Sequence, residues 1–110
     1  MAIDTTPDRD EEPHRSTIDA LSSPLLLEFG ATWCGYCQAA QPLIATALAR
    51  YPDLAHLRIE DGPGRPLGRS FRVKLWPTLI LMHQGQEQAR LVRPASSEEI
   101  VAALAGLRQG

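Results

Sequence analysis

Apolar residues occur along this chain both in short runs and in helical patterns. Residues 25–29 and 78–82 are almost wholly apolar, and a Pro lies directly before each run, as is typical of buried strands bounded by turn residues. Residues 54–59 alternate weakly between apolar and polar side chains, which predicts a further strand. The turn residues 84–86 lead into residues 88–92, so the last two strands are expected to form a hairpin.

Three segments show helical spacing ahead of that hairpin. Short helices are predicted at residues 16–21 and 66–71, the second with a Pro in its first turn. The longest follows the two cysteines and ends near residue 50. Pro42 lies inside it, so a kink or a reset of the helix is expected there. The apolar positions of this long helix are Ala39, Ala40, Leu43, Ile44, Ala47 and Leu48.

A final helix is predicted near the C-terminus. Ser96 with Glu99 three residues later matches a capping box, and an apolar stripe follows it. The resulting order is α, β, α, β, α, β, β, α. A strand–helix–strand unit followed by a hairpin and a closing helix implies one mixed sheet with helices on both faces. The stripe consists of Ile100, Val101, Leu104 and Leu107.

Charge divides the chain into two parts. Residues 1–13 carry five acidic side chains against one Arg, a net charge of about −4 out of a total of −2. We interpret residues 1–13 as a disordered acidic tail and residues 14–110 as a single domain. The start of the chain has neither the basic nor the apolar stretch of a secretory signal, so we expect a cytoplasmic protein. No apolar run approaches the ~18 residues of a membrane span, and no dense basic run indicates nucleic acid binding.

Candidate chemistry centres on Cys34 and Cys37, the two cysteines of the chain. The strand–Cys-x-x-Cys–helix order places the first sulfur at a helix N-terminus, where unpaired N–H groups favour a thiolate. A thiolate attacks disulfides, and a second cysteine one turn later can release the mixed disulfide. A structural crosslink or a zinc site are the alternatives. A four-residue loop is a poor crosslink, however, and His14, His56 and His83 lack zinc-ligand spacing, so we expect no metal.

Three motifs together resemble the thioredoxin family over about residues 16–108. They are Trp-Cys-Gly-Tyr-Cys at 33–37, Pro42 within the following helix, and Trp-Pro-Thr at 76–78, which looks like the family's cis-proline loop. The resemblance implies a thioredoxin-like α/β fold with a central mixed sheet of four to five strands, flanked by helices on both faces. The fifth strand is left open because the acidic tail offers no clear counterpart of the family's first strand.

The resemblance also implies roles at the site. Cys34 is expected to be the nucleophile and Cys37 the resolving, more buried thiol. Glu28 lies where the family keeps a buried acid that helps to deprotonate the resolving cysteine, and His56 aligns with the lysine beside that acid. Burial would raise the pKa of Glu28 toward neutrality and suit it to proton transfer. The alternative is that Glu28 points to solvent at a strand edge.

The remaining site residues are expected to contact substrate. Pro77 would be cis, with the backbone at Trp76 pairing with an extended substrate segment. Tyr36 replaces the family's usual proline, and Arg93 stands where the family has a glycine of its flat substrate surface. Aromatic residues often anchor interfaces, although ordinary loop packing is the alternative. The predicted substrate-binding set is Trp33, Gly35, Tyr36, Trp76, Pro77, Thr78 and Arg93.

A basic cluster precedes the proline loop. Arg65, Arg69, Arg72 and Lys74 either attract acidic partners or form an ordinary solvated helix face. The second explanation is the commoner one.

These observations predict a thiol–disulfide oxidoreductase that reduces protein disulfides. It would need no bound cofactor, because a redox-active disulfide between Cys34 and Cys37 carries the electrons. Thioredoxin reductase or glutathione would recharge it, and we expect a monomer. The Gly-Tyr pair between the cysteines leaves a disulfide isomerase or oxidase open. A redox-switched adaptor or chaperone is the other alternative.

Overall fold

The computed structural model describes residues 4–5 and 12–109. Its strands and helices follow the predicted order, with one short strand added at the start. The elements are β1 (Asp4–Thr5), α1 (Arg15–Asp19), β2 (Leu25–Gly30), α2 (Gly35–Leu48), β3 (Ala55–Glu60), α3 (Pro66–Ser70), β4 (Thr78–His83), β5 (Gln86–Val92) and α4 (Ser97–Gln109).

The described strands form one mixed sheet in the order β1-β3-β2-β4-β5. Strands β1, β3 and β2 run parallel, while β4 is antiparallel to both β2 and β5. Strand β2 therefore lies at the centre of the sheet, and the chain enters α2 directly from its C-terminal end. This connection carries the two cysteines, so the sheet itself positions them.

Alternation along the central strands divides the core between two faces of the sheet. On one face, Leu26 of β2 packs with α2 and α4. On the other face, Leu27 and Phe29 pack with α1 and α3. Because successive strand residues point to opposite faces, Glu28 is on the same side as Leu26, beneath α2. The sheet flanked by helices on both faces that the sequence predicted is confirmed.

Local sequence patterns predicted most helix and strand ends to within two residues. Gln84 and Gly85 both have positive φ, 55° and 76°, and form the two-residue turn between β4 and β5. The Ser96 hydroxyl accepts a hydrogen bond from the Glu99 N–H at 3.2 Å, as the capping box requires. Helix α2 runs through Pro42 as one element, so the helix is not reset there.

The predicted acidic tail needs correction. Asp4 pairs with His56 and Thr5 with Leu57, so β1 lies within the segment expected to be disordered. The Glu12 carboxylate also accepts a hydrogen bond from the Leu67 N–H at 2.9 Å. Hydrophobic patterning did not reveal β1, because a two-residue edge strand has no measurable periodicity. The other residues of the predicted tail lie outside the described residues, apart from Pro13.

Within the described ranges, no helix is both long and apolar enough to cross a membrane.

Candidate active site

Cys34 caps the N-terminus of α2. Its Sγ accepts a hydrogen bond from the Cys37 backbone N–H at 3.1 Å. A sulfur that accepts a backbone N–H at a helix N-terminus is in a setting that stabilises negative charge. Both cysteines are reduced in the structure, and both thiols are buried.

Cys37 lies one turn along α2, against the end of β2. Burial raises the pKa of the Cys37 thiol to about 12, together with its hydrogen bond to Cys34 and the negative charge of Glu28. Cys34 is 7% and Cys37 6% exposed, so burial hardly distinguishes the two residues. What distinguishes them is their place, because Cys34 caps the helix and Cys37 lies inside its first turn.

The loop before β4 lies against the cysteines. The Trp76–Pro77 peptide bond is cis, as predicted. The Thr78 hydroxyl donates to the Leu75 carbonyl at 2.6 Å and thereby ties the loop to the start of the strand. Trp76 packs on the small cluster formed by Ala31 and the two cysteines.

Aromatic side chains surround this cluster. Trp33 and Tyr36 are 71% and 61% exposed, which is unusual for residues of their size. Trp33 meets Trp76 edge to face, with ring centroids 5.5 Å apart. The Arg93 guanidinium lies 3.8 Å from the centre of the Tyr36 ring, and its Nε donates to the Trp76 carbonyl at 2.8 Å. Four of the predicted substrate-binding residues, Trp33, Tyr36, Trp76 and Arg93, thus lie together, whereas Pro77 and Thr78 are buried.

Arg93 reaches this position through an unusual backbone conformation. Its φ is 51°, in the left-handed region that favours glycine. Its N–H donates to the Pro77 carbonyl at 3.0 Å. At this left-handed position the Arg93 side chain supplies a cation that a glycine would not.

Glu28 is buried beneath α2 in a network of polar side chains. Its carboxylate accepts from Gln41 Nε2 at 2.6 Å, and His56 Nε2 lies 2.9 Å from the other oxygen. Arg58 Nε is 3.8 Å away. Gln41 also donates to the Cys37 carbonyl at 3.3 Å, which connects the network to the resolving cysteine. The alternative of a solvent-facing Glu28 is excluded, and the predicted neighbour His56 is confirmed.

The predicted direction of the Glu28 pKa is wrong. Burial by itself raises the pKa of this carboxyl, but the hydrogen bonds with His56 and Gln41 and the charge of Arg58 outweigh it. The pKa therefore lies below its ordinary value, and Glu28 is ionised at neutral pH.

Comparisons with known proteins agree with this geometry. A protein-family model named Thioredoxin matches residues 5–106, which includes all nine described elements except the ends of the first and last. The chain belongs to the thioredoxin family. The chain superposes with a TM-score of 0.82 on the reduced form of thioredoxin 2 from Pseudomonas aeruginosa PAO1. The two are 52% identical, and the match covers 91% of this chain and 94% of that structure.

Curated relatives from this family are more distant. Thioredoxin from Mycobacterium tuberculosis H37Rv is 39% identical over 77 residues, covering 67% of this chain and 66% of the relative. Thioredoxin H2-1 from Oryza sativa is 30% identical over 81 residues, covering 74% of this chain. The match spans only 56% of that relative's length.

Sequence reasoning missed three residues at this site. Gln41 and Arg58 complete the Glu28 network, and Asp61 accepts a hydrogen bond from the Trp76 indole at 2.9 Å. Arg58 could have been predicted from the sequence, because in-register pairing of the parallel strands β2 and β3 places it opposite Glu28. Gln41 and Asp61 are ordinary polar residues by pattern. Only the packing of α2 and of the loop after β3 assigns them partners.

Proposed function

We propose that this protein is a thiol–disulfide oxidoreductase that reduces protein disulfides through Cys34 and Cys37. The observation that carries the proposal is the position of Cys34 Sγ at the N-terminus of α2, 3.1 Å from the Cys37 N–H and beside the cis Trp76–Pro77 bond. The membership of this chain in the thioredoxin family supports the same activity.

The reaction consists of two exchanges. The Cys34 thiolate attacks one sulfur of a target disulfide, so that a Cys34–target bond forms and the other target sulfur leaves as a thiolate. Cys37, once deprotonated, then attacks Cys34 and releases the second target sulfur. Two electrons pass from the protein dithiol to the target, and a disulfide between Cys34 and Cys37 remains. The sulfurs carry these electrons themselves, so the exchange requires no further cofactor.

The second exchange requires a proton acceptor. Burial and the negative charge of Glu28 both raise the pKa of the Cys37 thiol, so it needs help to lose its proton. Glu28 is linked to Cys37 through Gln41, and its carboxylate lies against His56. We assign the acceptor role to Glu28, with His56 sharing the proton. A carboxylate with a lowered pKa is a weak base, so the assignment relies on the 2.9 Å contact between Glu28 and His56.

The substrate would cross the surface formed by the predicted binding residues. An extended target segment can pair with the backbone at Trp76 and lie between the exposed rings of Trp33 and Tyr36. At Gly35 a Cβ would meet no described atom within 4 Å apart from its chain neighbours, so this position faces open space. Buried Pro77 and Thr78 shape the floor of the loop. The Trp76 carbonyl accepts a hydrogen bond from Arg93 Nε, and its second lone pair can accept one from a substrate N–H.

Partners and compartment complete the proposal. The targets are disulfide-containing proteins, and thioredoxin reductase or glutathione restores the dithiol. The protein acts as a cytoplasmic monomer. These assignments are supported by family membership and by the chemistry of a dithiol that needs an external reductant.

Insulin reduction driven by dithiothreitol tests the activity. The wild-type protein should accelerate precipitation of the reduced insulin chain, and Cys34→Ser should abolish the acceleration. Cys37→Ser should instead hold the target as a mixed disulfide on Cys34, which mass spectrometry detects. Ala45→Ser, on an exposed position of α2, is the matched control and should behave as wild type. Unchanged catalysis in Cys34→Ser would overturn the proposal.

A further inference from the structure

A groove with a volume of about 290 Å³ opens beside the cis-proline loop. Trp76 forms one wall, and Arg69, Val73, Lys74 and Asp61 contribute to the others. Trp76 also packs against the two cysteines. The groove and the reactive sulfur therefore share a wall, and a segment bound at Cys34 can continue into the groove.

The cations of this groove differ in their partners. Arg65 lies 3.3 Å from the Glu12 carboxylate and donates to the Glu60 carbonyl. Arg69 and Lys74 are exposed, and neither has an acidic partner among the residues that the structure describes. The acid of the groove, Asp61, is already engaged by the Trp76 indole N–H. Because an indole N–H is neutral, Asp61 keeps its negative charge. The groove still presents a net positive charge, since its lining carries Arg69 and Lys74 against this one carboxylate.

A further cation lies at the other side of Trp76. Arg93 uses its Nε on the Trp76 carbonyl and its guanidinium face on the Tyr36 ring. Its terminal nitrogens have no partner within the described part of the chain. An Arg held by stacking is pre-organised to bind a carboxylate through two parallel hydrogen bonds.

We propose that the reactive surface selects disulfides in extended acidic segments, with Asp or Glu side chains bound by Arg69 and Lys74 in the groove and by Arg93 beside Tyr36. The inference rests on the proposed function, since it concerns the targets that Cys34 attacks. It adds a charge preference to a surface that is otherwise aromatic.

Charge complementarity is the reason for choosing an acidic segment as the occupant. Unpaired cations around an apolar wall favour a ligand that is apolar where it meets Trp76 and negatively charged where it meets the arginines and Lys74. Exposed cations also raise the rate of encounter with an acidic partner, an effect that salt suppresses. Both effects apply to binding itself and do not depend on electron transfer.

Binding can therefore be tested apart from reduction. Three peptides would share one short apolar segment with two Ser residues in place of the target cysteines, and would be flanked by Glu, Gln or Lys. Titration followed by fluorescence anisotropy of a peptide label should give the order Glu, Gln, Lys from tightest to weakest at low salt. The preference should disappear near 1 M salt, where the Debye length is about 3 Å.

Variants locate the preference. Each of Arg69→Gln, Lys74→Gln and Arg93→Gln should weaken the Glu peptide relative to the Gln peptide by about two- to five-fold. Arg93→Lys keeps the charge and should retain part of the preference. Arg50→Gln removes the same charge near the far end of α2, about 20 Å from Cys34, and is the matched control.

Disulfide-containing versions of the three peptides separate this inference from the proposed function. If they are reduced at equal rates and the Ser peptides bind equally, the charge preference is wrong and the oxidoreductase remains. If none is reduced but the Glu peptide binds tightest, the surface is as inferred and the proposed activity fails. A preference that survives in the triple variant of Arg69, Lys74 and Arg93 to Gln overturns the inference. Tighter binding of oligothymidylate, a nucleic acid probe, than of the Glu peptide would also overturn the inference.

Discussion

The contact between Gly30 and Cys37 should be sensitive to a single methyl group. An ideal Cβ on Gly30 would lie 2.7 Å from Cys37 Sγ and 3.6 Å from Cys37 Cβ. The favourable separation between such atoms is about 3.5–4.0 Å, so the sulfur would have to move by roughly 1 Å. Gly30 ends β2 without a positive φ, and the backbone itself therefore tolerates alanine. The expected cost comes from packing.

Gly30→Ala should be destabilised in the reduced form. Overpacking of a tight interior lowers the free energy of unfolding by about 1–3 kcal/mol. Replacing a glycine raises it by about 0.4–1 kcal/mol, because the unfolded chain has fewer conformations. We expect a net loss of about 1–2 kcal/mol, which lowers the Tm by roughly 4–15 °C for a domain of this size. Urea and thermal unfolding of the fully reduced protein measure both quantities.

Gly106→Ala is the matched control. It lies in α4, where a new Cβ would meet no described atom within 4 Å. The same substitution should therefore stabilise the protein by about 0.5–1 kcal/mol, through better helix propensity. The two Gly→Ala variants should move in opposite directions.

Rotation of the Cys37 side chain would relieve the Gly30→Ala contact with little loss of stability. It would carry Sγ away from its place beside Cys34 and slow closure of the intramolecular disulfide. Closure can be timed from a mixed disulfide preformed on Cys34. The reasoning is refuted if Gly30→Ala keeps both wild-type stability and the wild-type closure rate.

Two further substitutions test the Glu28 network and the β4–β5 turn. Because the pKa of Glu28 lies below its ordinary 4.5, its ionised form stabilises the fold above that pH, and this stability is lost as the pH falls through the lowered pKa. Glu28→Gln should lower the free energy of unfolding, measured with urea, by about 1–3 kcal/mol at pH 7 and by less at pH 3. A loss of stability that grows as the pH falls would contradict this. At Gly85, with φ 76°, a Cβ would also overlap the Asp19 carbonyl oxygen. Gly64 has φ 77° and open space around it, so Gly64→Ala should lower the free energy of unfolding by only about 1–2 kcal/mol. Gly85→Ala should lower it by more. Equal Tm values for the two variants would contradict the predicted overlap.

The amino-acid sequence alone determined the features that depend on neighbours along the chain. The apolar runs of β2 and β4, the Gln84-Gly85 turn and the capping box at Ser96 are recognisable because each depends on a few consecutive residues. The two cysteines after a buried strand are recognisable for the same reason. A thiol–disulfide site at the start of α2 could therefore be predicted without coordinates.

Tertiary structure decided which distant side chains meet. Burial alone predicted a raised pKa for Glu28, but His56 and Gln41, brought beside it from β3 and α2, reverse the direction. Arg93 contacts Tyr36 only because β5 ends beside the cis-proline loop. A pKa or a cation–π contact depends on separations of a few ångströms between groups that lie tens of residues apart. Periodicity and local spacing carry no information about those separations, which follow from how the helices and the sheet pack.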